Sequence, residues 1–180
     1  MSRECGSGDD IMAADVIIDS LPFFFFFNTE WIKAELRPLL ALTANVVELT
    51  HAKWPFPYTP HDMGKYPVAN AYDGKGHETM HVEECGNLPS MLASVAQREN
   101  TTAWLDPFWP VVSGWAEYLP LHGLYPAKQL SSDDFDGPIA NRSNLAMKAI
   151  VGVGAFAEMA RIRVQAYARL ANTELLTKNR

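Results

Sequence analysis

Four stretches of the chain carry apolar residues at the three- and four-residue spacing of a helix face, each set off by polar segments containing Gly, Pro, Asp and Ser. In the first, Asn28 or Thr29 is placed to cap a helix with Trp31, Ile32, Leu36, Leu39, Leu40, Val46 and Val47 on one face, a bend at Pro38 and an end near His51. In the second, Leu88, Met91, Leu92, Val95 and Ala96 follow a long polar segment from Pro60, which predicts a loop feeding a buried helix whose first turn holds Glu83 and Glu84. In the third, Asp106 reads as an N-cap and Pro107 as the first helical residue, with Phe108, Val111, Val112, Trp115, Tyr118 and Leu119 inside and Pro120 and Gly123 as the stop. In the fourth, Asn141 or Ser143 caps a long helix with Leu145, Ile150, Val153, Phe156, Met159 and Ile162 inside, where Gly152 and Gly154 mark close packing against another helix. Ahead of these, Ile11–Ile18 is a short apolar segment, and Leu21–Phe27 reads as a buried connector under the first helix.

No segment of useful length alternates at period two, so the fold class is all-α. Two long loops, one running from Lys53 through the Gly-, Asp- and His-rich stretch to Glu84 and one from Gln129 to Pro138, interrupt the helices. Loops of that length inside a compact domain are usually functional. A plain bundle leaves them unexplained, whereas stacked helical hairpins with their loops gathered at one rim account for both.

Composition narrows the function classes. The 180 residues, 48% hydrophobic, suffice for one domain with its own core, residues 1–180. A net charge of −6 without a Lys/Arg cluster argues against nucleic acid or an anionic membrane as partner, since either needs a basic patch to replace released counterions. Cys5 and Cys85 supply neither a disulfide framework nor a C-x-x-C pair. The segment from Met1 to Asp10 lacks the apolar run of a signal peptide, and Leu21–Phe27 is too short to span a bilayer. Asn100-Thr101-Thr102 and Asn141-Arg142-Ser143 have the form of N-glycosylation acceptors, relevant only on a secretory route.

Candidate chemistry concentrates at the start of the second helix. A carboxylate there is favoured by the unpaired N–H groups and the positive end of the helix dipole, so Glu83 and Glu84 sit where an acid or base can be held rigidly. Being adjacent, they project about 100° apart, and only one faces a shared pocket. Asp133 and Asp134 in the second loop form the other pair, with His61 and Asp62 after the proline loop. Each has a structural alternative: a charge pair on the dipole, loop capping, an Asx turn into Gly64. His77-Glu78-Thr79-Met80-His81 spells the H-E-x-x-H of zinc proteases, but Gly74, Gly76, Gly86 and Pro89 bracket it and no third ligand follows in the usual spacing, so no metal and no cofactor is expected. Cys85 could be a nucleophile with His81 as base, or a small packed residue. The S-x-x-K and G-x-S-x-G arrangements are absent, which leaves carboxylate-activated water as the default hydrolytic mechanism.

The runs Ser20–Asn28, Pro60–Asn70, His81–Leu105, Trp115–Leu119 and Pro126–Ala157 together resemble the central domain of the glutaminase A family, in order and with similar spacing from about Asp10 to Ala160. The resemblance implies an (α/α)6 toroid of helical hairpins, shared with six-hairpin glycosidases, and hydrolysis of L-glutamine to glutamate and ammonia in an extracellular protein. Substrates would be glutamine or, by fold analogy, an oligosaccharide. On the matching V-E-E-C-G-N and S-D-D-F positions, Glu84 is assigned as base and Asp134 as acid, with Glu83 and Asp133 as their neighbours and His61, Asp62 and Asn87 as substrate contacts. Three departures stand out. His77 and His81 replace the acidic and proline residues expected, Pro89 falls within the helix, and the likeness fades after Ala160, so the chain reads as part of a toroid whose further hairpins would be its partners.

Overall fold

A computed structural model describes residues 2–3, 8–45, 54–71, 80–132 and 134–178, and five α-helices account for most of them. They are α1 (Ala14–Phe27), α2 (Thr29–Thr43), α3 (His81–Glu99), α4 (Trp109–His122) and α5 (Ser143–Lys178), with short 3-10 turns at Ala103–Phe108 and Asp134–Asp136. Among the described residues there is no strand, only the isolated bridges Arg3–Ile11, Asp10–Lys65 and Gln129–Ile139. The fold is all-α.

The helix punctuation follows from local chemistry. Asn28, in extended backbone, ends α1 by donating its N–H to Phe24 and starts α2 by accepting from the Glu30 N–H at 2.9 Å. Asn100 closes α3 in the left-handed conformation (φ 52°), and Thr101 N–H bonds back to Ala96, the pattern of a C-terminal cap. Asp106 is not the N-cap of α4: with Pro107 it lies in the preceding 3-10 turn, and α4 begins at Trp109 with Pro110 in its first turn. Pro120 is likewise inside α4, which runs on to His122. The described part of α2 ends at Thr43, short of the expected His51; Val46, Val47 and His51 lie outside the described residues.

Helix α3 is the hub, packing against the other four. Nearly every side chain from Val82 to Ala96 is buried, as in a helix with neighbours all round. Its closest neighbour is α5. A Cβ added at Gly86 would lie 2.6 Å from the Lys148 carbonyl oxygen, and one at Gly152 would lie 2.8 Å from the Gly86 Cα, so both glycines are required by contact. Pro89 does not delay α3; it removes a donor, and the Cys85 carbonyl that would have accepted from residue 89 faces Gly152. Gly154, by contrast, faces open space.

Two sequence expectations about faces are corrected. The buried side of α5 is built from Leu145, Ala149, Gly152, Met159 and Ile162, while Ile150 and Val153 are exposed, because close approach selects small residues over large apolar ones. The phenylalanine run is the last half of α1 rather than a connector. Phe24 and Phe25 pack against the core, but Phe23, Phe26 and Phe27 form an outward aromatic cluster with Trp31, which is 48% exposed. Among the described residues no helix is long and apolar enough to cross a membrane.

Candidate active site at the start of helix α3

Glu84, in the first turn of α3, is fully buried beside side chains from two other segments. Asp15 comes from the first turn of α1 and His61 and Asp62 from the loop after Pro60; Asp15, His61 and Glu84 each offer a ligand-type atom within 4.8 Å of the other two. The loop is held in place by Ala14 N–H to the His61 carbonyl at 2.8 Å, and by mutual bonds between Ile11 and the Met63 and Gly64 backbone. Gly64 adopts φ +103°, with the Asn70 and Ala71 amides 3.0 Å from where a Cβ would stand. Only glycine fits there, and the turn it permits delivers its N–H to Asp62 Oδ1 at 2.5 Å.

His61 is gripped from both sides: Nε2 lies 3.2 Å from Asp15 Oδ1 and Nδ1 lies 2.7 Å from Asp62 Oδ2. Burial alone would lower its pKa, but the bonds to Asp15 and Asp62 carry it up to about 11, so the ring is an imidazolium. Burial pushes Asp15 up, and the His61 bond and charge outweigh it, leaving Asp15 below its ordinary value. Glu84 goes the other way: burial holds its carboxyl well above the usual range, with the Asp15 and Glu83 charges adding and the His61 charge and the Asn87 bond opposing. The helix-start preference for a charged Glu84, expected from sequence, is overridden by desolvation. Asn87 Nδ2 donates to Glu84 Oε2 at 3.0 Å, whereas Oε1 has no hydrogen-bond partner.

Glu83 faces elsewhere. Also fully buried, it accepts from Lys148 Nζ on α5 at 2.5 Å and from Ser132 Oγ at 2.5 Å and Ser132 N at 3.0 Å in the second loop. Gln129 Oε1 accepts from Val82 N–H at 3.0 Å, so that loop is tied to the start of α3 at two points. Asp134 opens the 3-10 turn two residues after Ser132, but its side chain, like Asp133, lies outside the described residues.

His81, the first residue of α3, packs its ring between Tyr58 (4.9 Å) and Tyr118 (6.2 Å), and burial followed by the His122 charge lowers its pKa. His77 and Glu78 of the H-E-x-x-H string lie outside the described residues. Cys85 is buried, and that burial pushes its thiol far up, which makes it a packed residue and not a nucleophile. Next to it, Phe56, Trp115, Tyr118 and His122 line a cleft of about 460 Å³. Of the sequence candidates, the structure brings together Glu84, His61, Asp62 and Asn87, and sets Glu83 apart with the second loop. Sequence reading missed Asp15; the available signal was a lone carboxylate inside the apolar segment Ile11–Ile18.

Comparison with known proteins decides the family. The glutaminase A six helical-hairpin domain matches residues 1–177. This chain belongs to that family. The match runs past Ala160 through nearly all of α5, which corrects the expectation that the likeness ends near Ala160. Glutaminase A of Aspergillus oryzae is 36% identical over 156 residues, covering 86% of this chain and 22% of the relative. An Arthroderma benhamiae protein named "Probable glutaminase" is 27% identical over 216 aligned positions, covering 88% of this chain and 24% of the relative. The chain thus spans less than a quarter of the length of each of these relatives. No solved structure matches it. The all-helical architecture fits the helical hairpins that the family's domain is named for.

Proposed function

We propose that this chain belongs to the machinery of a glutaminase-type amidohydrolase, which converts L-glutamine and water to L-glutamate and ammonia. What supports the reading is a buried carboxyl, Glu84, beside the Asp15–His61–Asp62 array in a family whose relatives are named as glutaminases. Amide hydrolysis needs a group to take a proton from water, a group to protonate the departing nitrogen, and positive charge near the developing oxyanion. Glu84, whose carboxyl burial holds well above its ordinary range, is the proton donor to the leaving ammonia. Asp15, kept ionised beside His61, takes the proton from the attacking water, and the His61 ring, both nitrogens held by Asp15 and Asp62, contributes only its positive charge near the oxyanion. Asn87 orients Glu84, and Asp62 orients His61. Two environments that push neighbouring carboxyls apart in pKa are the usual way one site runs both halves of the proton transfer.

The donor role thus moves from Asp134, its place in the sequence assignment, to Glu84, and the base role from Glu84 to Asp15. Extracellular work on a small-molecule substrate is part of the same reading. The test is ammonia release from L-glutamine, with reducing-sugar release from oligosaccharides run alongside. Acid–base catalysis contributes about a hundred- to ten-thousand-fold, so Glu84→Gln and Asp15→Asn are each expected to lower kcat at least about a hundredfold while circular dichroism stays native. Sugar release without ammonia release, or near-parental ammonia release from Glu84→Gln, overturns the reading.

A further inference from the structure

We propose that Asp15, His61 and Glu84 form a binding site for a single divalent transition-metal cation of zinc-like preference, a use of the cluster that goes beyond acid–base chemistry. Two donors bound to one ion at about 2.0–2.2 Å stand roughly 3–3.5 Å apart. The Asp15 Oδ1–His61 Nε2 spacing of 3.2 Å already has that value, and one ligand-type atom from each of Asp15, His61 and Glu84 lies within 4.8 Å of the others; on binding, the ion displaces the His61 Nε2 proton and the Glu84 proton to solvent. The second observation is Glu84 Oε1, an oxygen of a fully buried side chain with no hydrogen-bond partner, the kind of atom an ion would satisfy. The third is the arrangement behind the ring. A metal-binding histidine usually gives its other nitrogen to a carboxylate, and here Nδ1 lies 2.7 Å from Asp62, itself fixed by the Gly64 N–H.

The alternative trio Asp10, His61 and Asp62 is less suited, because Lys65 already pairs with Asp10 and the Gly64 N–H and His61 already occupy Asp62. Imidazole with two carboxylates favours zinc-type ions over magnesium or calcium, which prefer all-oxygen shells. Because the ion would take the Asp15 and Glu84 oxygens needed for proton transfer, metal binding and acid–base hydrolysis exclude one another on the same chain. The site rests on the geometry of the cluster, and zinc uptake is read without any measurement of ammonia release, so failure of the one is distinguishable from failure of the other.

The experiment is calorimetric titration of the chelator-treated chain with Zn2+. One ion per chain is expected, with affinity falling more than a hundredfold in His61→Ala and Glu84→Gln, ten- to a hundredfold in Asp62→Asn, and within about twofold of the parent in Glu83→Gln and His77→Ala. No saturable uptake overturns the proposal, as does loss of uptake in His77→Ala with retention in Glu84→Gln. Should the cluster variants fail to fold, Co2+ in the parent chain decides. Visible d–d bands without a near-ultraviolet thiolate band are expected, and a thiolate band, marking coordination by cysteine, overturns it.

Discussion

Glu83 offers the sharpest stability test, because its carboxylate ties three parts of the chain together. It is fully buried and accepts from Lys148 on α5 and from the hydroxyl and amide of Ser132 in the second loop. Breaking a buried ion pair by removing one partner costs about 3–5 kcal/mol. Lys148 retains 32% side-chain exposure, so its ammonium can turn to water when Glu83 is gone, which puts the cost at the low end. Glu83→Ala is therefore expected to lose about 3–4 kcal/mol. Glu83→Gln still accepts from Ser132 and forfeits only the charged bond, about 1.5–3 kcal/mol. The reverse deletion is worse. Lys148→Met strands a carboxylate that cannot reach solvent, so it should cost at least as much as Glu83→Gln, and the double variant should be far less destabilised than the sum of the two. Equilibrium urea unfolding with a double-mutant cycle measures all of this. A loss below about 0.5 kcal/mol in Glu83→Gln, the level of an ordinary surface change, would refute the reasoning, as would a Lys148→Met milder than it. In protein that folds, Glu83→Gln should leave ammonia release within several-fold of the parent.

Gly152→Ala, whose Cβ would meet Gly86 Cα and Leu119 Cδ1 at 2.8 Å, should destabilise by about 1–3 kcal/mol. Gly154→Ala, facing open space in the same helix, should stabilise by about 0.5–1 kcal/mol, so thermal melts that rank the two the other way contradict the α3–α5 packing. Glu99 pairs with Lys33 at 2.6 Å and accepts from Thr29; burial raises its pKa, but these partners bring it below the ordinary 4.5. The sign follows: a depressed folded pKa contributes stability that is present above pH 4.5 and lost as pH falls through the folded value, so Glu99→Gln should lower stability at pH 7 and flatten its decline in acid. A parallel acid limb in parent and variant would disprove the linkage. Phe26 is 78% exposed among Phe23, Phe27 and Trp31, so self-association measured by sedimentation should weaken in Phe26→Ser; a parent that sediments as a monomer at all concentrations shows that this cluster drives no assembly.

Much of this was legible in the chain itself. Helical periodicity gave the all-α class and the buried second helix, because that signal depends only on neighbours three and four residues away. A cap at Asn28 or Thr29 was readable for the same reason, and the structure selects Asn28; of the two glycines read as close-contact residues, Gly152 is one and Gly154 faces open space, because a missing Cβ by itself does not say which way the position faces. Glu84, His61, Asp62 and Asn87 were singled out from the residues and the family likeness, and they meet. Only the tertiary structure decided what sits between the helices. Asp15 joins the cluster because the turn at Gly64 brings His61 across the start of α1, a contact between residues too far apart in sequence for periodicity to report. Glu83 and Glu84 are neighbours with identical side chains, and the fold gives one a lysine and the other a nearly unpaired burial. Desolvation then outweighs the helix dipole at Glu84, and no reading of a helix start in isolation could have found that, because the size of the desolvation is set by everything packed around it.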